Sequence, residues 1–373
     1  MNKRIYLSPP FVDDVEKKLL LDAFDSNWIA PIGPCIDKLE KNIANYLNVK
    51  NACAMSSGTA ALDIALKLIG IKENDKILCP SLTFVATANA ILYQKAEPIF
   101  IDSSPKTWVI DLDTLEKAIK KHKPKALISV DLYGQSCDYN SIYNLCNKYD
   151  VLIIEDAAEA LGSTYRGKKC GSFGEVGILS FNGNKIITSS GGGVLASDNE
   201  DYVKRAKYLS TQSREPVLHY EHKEIGYNYR MSNILAALGL GQLKKIEDFI
   251  DYRRKNYNKY YKELSQIDGF VFMQEADNVI SNRWLTTLTI DKKKLGFSNI
   301  DLINKLEEEN IESRPVWKPM HLQPLFKNFK YIRYGKRDVS DELYQHGICL
   351  PSGSNLTNED QDRIINIILS MSH

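Results

Sequence analysis

Val151-Leu152-Ile153-Ile154-Glu155-Asp156-Ala157-Ala158-Glu159 decides the fold. A short apolar run of this length reads as a buried strand, and an acid follows directly at its carboxyl end. Working outward, similar runs recur at Ala52–Met55, Lys76–Cys79, Pro98–Asp102, Ala126–Asp131, Val176–Phe181 and Gly193–Ser197. Amphipathic stretches separate the early ones, at Thr59–Ile69, Phe84–Gln94, Asp113–Lys121 and Asn140–Lys148. Ile-, Val- and Leu-rich strands alternating with helices predict an α/β fold with a mostly parallel, seven-stranded sheet covered on both faces. Only a short glycine-rich segment joins the last two strands, which leaves room for one of them to run antiparallel.

From Tyr202 to Tyr261 the pattern turns helical, with an apolar stripe at Ile234, Leu235, Leu238, Leu240 and Leu243. Beyond it lie a strand-like Thr286–Ile290, a charged helix near Asn299–Glu309 and a last helix near Asp360–Met371. This reads as a large α/β domain over residues 1–249 and a smaller C-terminal α+β domain over 250–373. The 373 residues accommodate both.

Hydrophobic residues make up 43% and charged residues 25%, which excludes disorder as the main state. With 48 Lys and Arg against 47 Asp and Glu, the net charge of +1 gives no field for nucleic acid or a membrane surface. The seven Cys are scattered without a C-x-x-C pair, as expected of reduced thiols in a cytoplasmic protein. His219 and His222 lack a partner pair with ligand spacing, so no metal site is expected. Residues 1–10 have no apolar core of a signal peptide, and no run reaches the ~18 apolar residues that span a bilayer.

Four features sit where an open α/β sheet holds ligands, at the carboxyl ends of its strands. Ser56-Ser57-Gly58-Thr59, between a strand and a helix, suits either a phosphate on backbone N–H groups or a plain helix cap. Asp156 is placed either to pair with a cationic ring nitrogen or, with Glu159, to form a capping box. Ser180-Phe181-Asn182-Gly183-Asn184-Lys185 holds a lysine on a tight turn, followed by Ser189-Ser190-Gly191-Gly192-Gly193. It is neither a P-loop nor a dinucleotide fingerprint. A solvated surface lysine is the ordinary reading, whereas apolar surroundings would make Lys185 a nucleophile toward carbonyls. Phe84, after Pro80-Ser81-Leu82-Thr83, is either a core aromatic or a stacking ring. Phosphate cup, aromatic, acid and lysine together describe a site for pyridoxal 5'-phosphate.

Seven co-linear segments carry a resemblance over essentially the whole chain. They are Ser26 to Gly33, Ser57 to Leu62, Pro80 to Phe84, Glu155 to Gly162, Ser180 to Gly193, Gly226 to Ser232 and Arg314 to His321. In these the chain resembles the DegT/DnrJ/EryC1/StrS family of sugar aminotransferases, and most of all the transaminases that make UDP-N-acetylbacillosamine.

The resemblance implies the aspartate-aminotransferase type of fold (fold type I) and a set of roles. Lys185 would bond the cofactor as a Schiff base, Asp156 would pair with its pyridine nitrogen, and Phe84 would cover the ring. Ser57, Gly58, Thr59 and Ser180 would hold the phosphate, with Asn228 reaching it from the other subunit of a homodimer with shared sites. Glu159 stands where many members carry Gln, near the ring's 3-hydroxyl. A carboxylate suits that place only if it or the ring oxygen is protonated. Asn27, Trp28, Ile29, Ala30, Arg230, Trp317 and His321 would line the nucleotide-sugar pocket, with Arg230, like Asn228, borrowed from the neighbouring subunit. The apolar stripe at 234–243, if exposed in a monomer, would support the dimer. Members that dehydrate carry His where this chain has Lys185, which favours transamination. The expected reaction takes an amino group from L-glutamate to the C4 ketone of a UDP-linked 4-keto-6-deoxy-N-acetylhexosamine, for glycan biosynthesis. A C3-keto or GDP-linked substrate, or a non-catalytic regulator that binds the cofactor, are the alternatives.

Overall fold

The computed structural model of the chain describes residues 3–372. Its central sheet has eight strands: β1 (Asn51–Met55), β2 (Lys76–Pro80), β3 (Glu97–Ile101), β4 (Ala126–Val130), β5 (Leu152–Asp156), β6 (Val176–Ser180), β7 (Gly193–Ser197) and β8 (Lys330–Ile332). Across the sheet they run β1-β7-β6-β5-β4-β2-β3-β8. All neighbours are parallel except β7, which is antiparallel to both β1 and β6. The seven expected strands are therefore joined by an eighth, a correction to the sequence reading. Strand β8 pairs Lys330 with Ile99 and Ile332 with Ile101. Three residues are too few to show a period, so its edge position is decided by tertiary pairing.

Helices cover both faces. They are α1 (Asp14–Asp25), α2 (Pro34–Leu47), α3 (Gly58–Leu68), α4 (Val85–Tyr93), α5 (Leu112–His122), α6 (Tyr139–Lys148), α7 (Glu200–Ser210), α8 (Asn233–Leu243) and α9 (Ile246–Leu264). Local chemistry starts them where they start. Asp13 and Glu16 form a capping box on α1, and the Ser57 hydroxyl accepts the Ala60 N–H to open α3.

The helical reading of 202–261 is corrected in two ways. Between α7 and α8, residues 211–232 form an irregular segment tied by single bridges such as Thr211 to Asn228. Nor is the stripe on α8 an exposed patch, because α1 and α2 pack over it and Leu240 and Leu243 are buried. Helix α8 is apolar all round, the pattern of a core helix, and close approach is built in: a Cβ on Gly241 would lie 2.9 Å from Glu16 Cγ.

A second, four-stranded antiparallel sheet holds Phe270–Phe272, Thr286–Ile290, Gly347–Leu350 and Arg314–Pro315. With helices Asn299–Glu308 and Asn358–Met371 it encloses its own core, including Leu288, Ile348 and Ile365. Position 249/250 falls inside α9, and the two regions interlock: Ile5 bridges to Ile311 in this core, while β8 belongs to the large sheet.

Candidate active site

Strand β5 ends at Asp156, and residues 157–162 form turns rather than a helix, so no capping box exists there. Instead Asp156 Oδ2 accepts the Thr87 hydroxyl at 2.7 Å, and Oδ1 accepts the Ala158 N–H at 3.2 Å. Thr87 is itself 2.9 Å from the Thr83 hydroxyl. Burial pushes the Asp156 carboxyl above the ordinary aspartate range, while these donors and Lys185 pull it back.

The turn after β6 carries Lys185, whose side chain is only 11% exposed. Its Nζ lies 3.5 Å from Glu159 Oε1 and 4.2 Å from the centre of the Trp284 ring. Glu159 Oε2 accepts the Tyr133 N–H at 2.7 Å. Tyr133 delivers that N–H from a left-handed backbone, φ +53°, a conformation costing a bulky residue about 1–3 kcal/mol. Burial pushes the Glu159 carboxyl up to about 7, so it can hold a proton near neutrality.

At the start of α3, Ser57 takes the N–H groups of Ala60 and Ala61, leaving those of Gly58 and Thr59 as first-turn donors. The approach of β6 and β7 is close: a Cβ on Gly193 would lie 2.5 Å from Gly58 N, and one on Gly58 3.1 Å from Ser180 Cβ. The result is a tight cup of glycines and small hydroxyl residues at a helix N-terminus, suited to phosphate.

One cavity of about 760 Å³ collects these parts: Ser57, Gly58, Thr59, Phe84, Asp156, Glu159, Ser180, Lys185 and Trp317 all line it. The rings of Phe84 and Trp317 lie 5.3 Å apart at its wall. A cup, an aromatic wall, an acid and a lysine share one cavity, a donor set whose chemistry fits pyridoxal phosphate.

Other expected residues lie elsewhere. Asn27, Trp28, Ile29 and Ala30 lie on the exposed connection between α1 and α2, outside the cavity of their own chain. Asn228 is exposed as well. Two further residues are held within their own chain. The Arg230 guanidinium donates to Glu40 (2.8 Å) and the Ala54 carbonyl (3.0 Å) and is absent from the cavity lining of its own chain. His321 stacks on Tyr331 at 3.7 Å, bonds Ser81 through Nδ1, sets Nε2 3.2 Å from Asp338 Oδ2, and is absent from the cavity lining. In return the structure adds Thr87, Tyr133 and Trp284. Thr87 alone left a trace in the sequence, a hydroxyl inside the largely apolar Val85–Tyr93, which also carries the amide of Asn89.

Fold and site together define a pyridoxal-phosphate-dependent aminotransferase of fold type I. The sequence profile of the DegT/DnrJ/EryC1/StrS aminotransferase family matches residues 11–369, and the chain belongs to that family. It is 50% identical to EpsN of Bacillus subtilis (strain 168), covering 100% of this chain and 97% of that protein. To GDP-perosamine synthase of Caulobacter vibrioides it is 36% identical, over 97% of this chain and 96% of the relative. The PLP form of Spr1654 from Streptococcus pneumoniae superposes with a TM-score of 0.92 at 26% identity, covering 99% of both chains. The chain is a sugar aminotransferase.

Proposed function

We propose that the enzyme moves an amino group from L-glutamate to the C4 ketone of a nucleotide-linked sugar, a UDP-4-keto-6-deoxy-N-acetylhexosamine, for glycan assembly. The observation that carries this reading is Lys185, buried against Glu159 and Trp284 in the cavity that also holds Asp156. When bound, the cofactor supplies an electron sink. The chain's own residues do the rest. Asp156, charged and braced by Thr87, keeps the ring nitrogen protonated. Lys185 would hold the cofactor, and its Nζ would serve as the base that takes and returns the substrate's proton. Glu159 accepts or returns a proton at Oε1 beside it. Ser57, Gly58, Thr59 and Ser180 anchor the phosphate, and Phe84 and Trp317 exclude water from one side.

The same reading makes the enzyme a homodimer in which the partner subunit's Asn228 completes the phosphate cup. The exposure of Asn228 and of Trp28 and Ile29 supports it, since none reaches the cavity of its own chain. A GDP-linked 4-ketosugar is the second reading, favoured by the likeness to GDP-perosamine synthase.

The test is a panel of UDP- and GDP-linked 4- and 3-ketosugars incubated with glutamate and read by mass spectrometry. A gain of one amino group on the UDP-4-ketosugar is expected; turnover of the GDP sugar alone would favour the second reading. Borohydride trapping and peptide mapping should label Lys185, and a label elsewhere removes the basis of the assignment.

A further inference from the structure

Arg253, on α9, is fully buried yet faces no carboxylate among the described residues. Its Nη1 donates to the Trp284 carbonyl at 2.5 Å and its Nη2 to the Ser8 hydroxyl at 3.1 Å, while Nε has no acceptor. Burial alone pushes its pKa down to about 9. Enclosing a guanidinium with no acidic partner carries a desolvation cost that nothing in its surroundings offsets with an opposite charge. A structural role therefore accounts poorly for this residue, and its two hydrogen bonds show another.

Both lead to the same atom. The Ser8 hydroxyl donates to the Asn184 carbonyl at 2.7 Å, and the Trp284 indole N–H donates to that carbonyl at 2.8 Å. Asn184 immediately precedes Lys185. Because Arg253 occupies a lone pair of the Ser8 oxygen, the Ser8 O–H is directed at Asn184 and strengthened by the adjacent charge. Trp284 is held by its carbonyl on one side and presents its ring under Lys185 Nζ on the other. Ser8 comes from the N-terminal segment, Asn184 from the turn after β6, Trp284 from the segment before Thr286–Ile290, and Arg253 from α9. One cation joins four parts of the chain at the peptide that carries the reactive lysine.

We propose that Arg253 is a positioning residue for Lys185, acting through Ser8 and Trp284 on the Asn184 carbonyl to fix the lysine in its bonding geometry. The inference rests on Lys185 being the lysine that bonds the cofactor, and is independent of which sugar is the substrate.

The experiment compares Arg253→Met, Arg253→Lys and Ser8→Ala as purified full-length enzymes. Each is stripped of cofactor, reloaded with pyridoxal phosphate, followed by visible absorbance, and assayed for kcat and KM in the glutamate half-reaction. Arg253→Met is expected to fold yet bond the cofactor roughly tenfold more slowly, with kcat reduced and KM little changed. Arg253→Lys should recover part of that loss, since it restores one donor. Ser8→Ala, which removes one hydroxyl only, should show a smaller loss in the same direction. If Arg253→Met fails to fold, Ser8→Ala decides. Native loading rate and kcat in a folded Ser8→Ala enzyme, or in Arg253→Met, overturn the proposal. Borohydride mapping separates the two failures: a label away from Lys185 removes the assignment of the site, whereas native loading at Lys185 in the variants removes only the role of Arg253.

Discussion

Asp156 shows how much depends on a single hydroxyl-bearing neighbour. The carboxylate is buried, which favours its neutral form, and the Thr87 and Ala158 donors favour the charged one. Only the charged form can keep a ring nitrogen protonated. Asp156→Asn should therefore fold and bind cofactor but turn over about 100-fold or more slowly, measured under saturating glutamate. Turnover close to native would mean that the acid does not face the ring. Glu159 gives a second, pH-dependent expectation. Its carboxyl is pushed up to about 7 in the fold, against the ordinary value near 4.5 in the unfolded chain. Between these values the folded state binds more protons, so its stability falls as pH rises through that window. The groups facing Glu159 are Lys185, Asp156, Tyr133 and Cys349. In the cofactor-free enzyme, the melting temperature should drop between pH 5 and pH 7.5 more in the native protein than in Glu159→Gln. Parallel curves would show that Glu159 does not titrate in that range.

Among the elements, α8 tests the packing most directly. Leu240 is buried where α1 and α2 close over the helix, and Leu240→Ala should cost about 2–5 kcal/mol in urea unfolding. A midpoint unchanged from native would show that this face is not core. The same helix explains what could and could not be read beforehand. Strands of the large sheet were legible because burial on both faces makes them continuous apolar runs, and Gly193–Ser197 and Thr286–Ile290 matched residue for residue. The stripe on α8 was legible as apolar, but its covering was not: α2 buries Ile36, Leu39, Ile43 and Leu47 at helical spacing, yet such a pattern does not name the helix it packs against. In the site, Lys185, Asp156 and the cup stood out because each is tied to a strand end. Arg230 and His321 lay in matching segments, yet where a long side chain points depends on neighbours such as Glu40 and Tyr331 that no local pattern names. Trp284 and Arg253 sit in no motif, and their importance comes wholly from three-dimensional convergence on Asn184.

On the scale of the whole molecule, the shared-site reading predicts complementation. Lys185→Ala and Asn228→Ala, each inactive alone, should regain activity when mixed under conditions that exchange subunits, because one pocket of the heterodimer then holds both native residues. Proven exchange without recovery, or an active species sedimenting as a monomer, would sink that reading. The eighth strand has a consequence of another kind. Strand β8 caps the outer flank of β3 but is encoded near the end of the chain. During translation the nascent sheet thus carries a row of unpaired N–H and C=O groups along β3, a surface on which two growing chains could pair. Only the late-emerging Lys330–Ile332 seals it, so shortened or stalled products that stop before Lys330 should be more prone to aggregate than the finished enzyme.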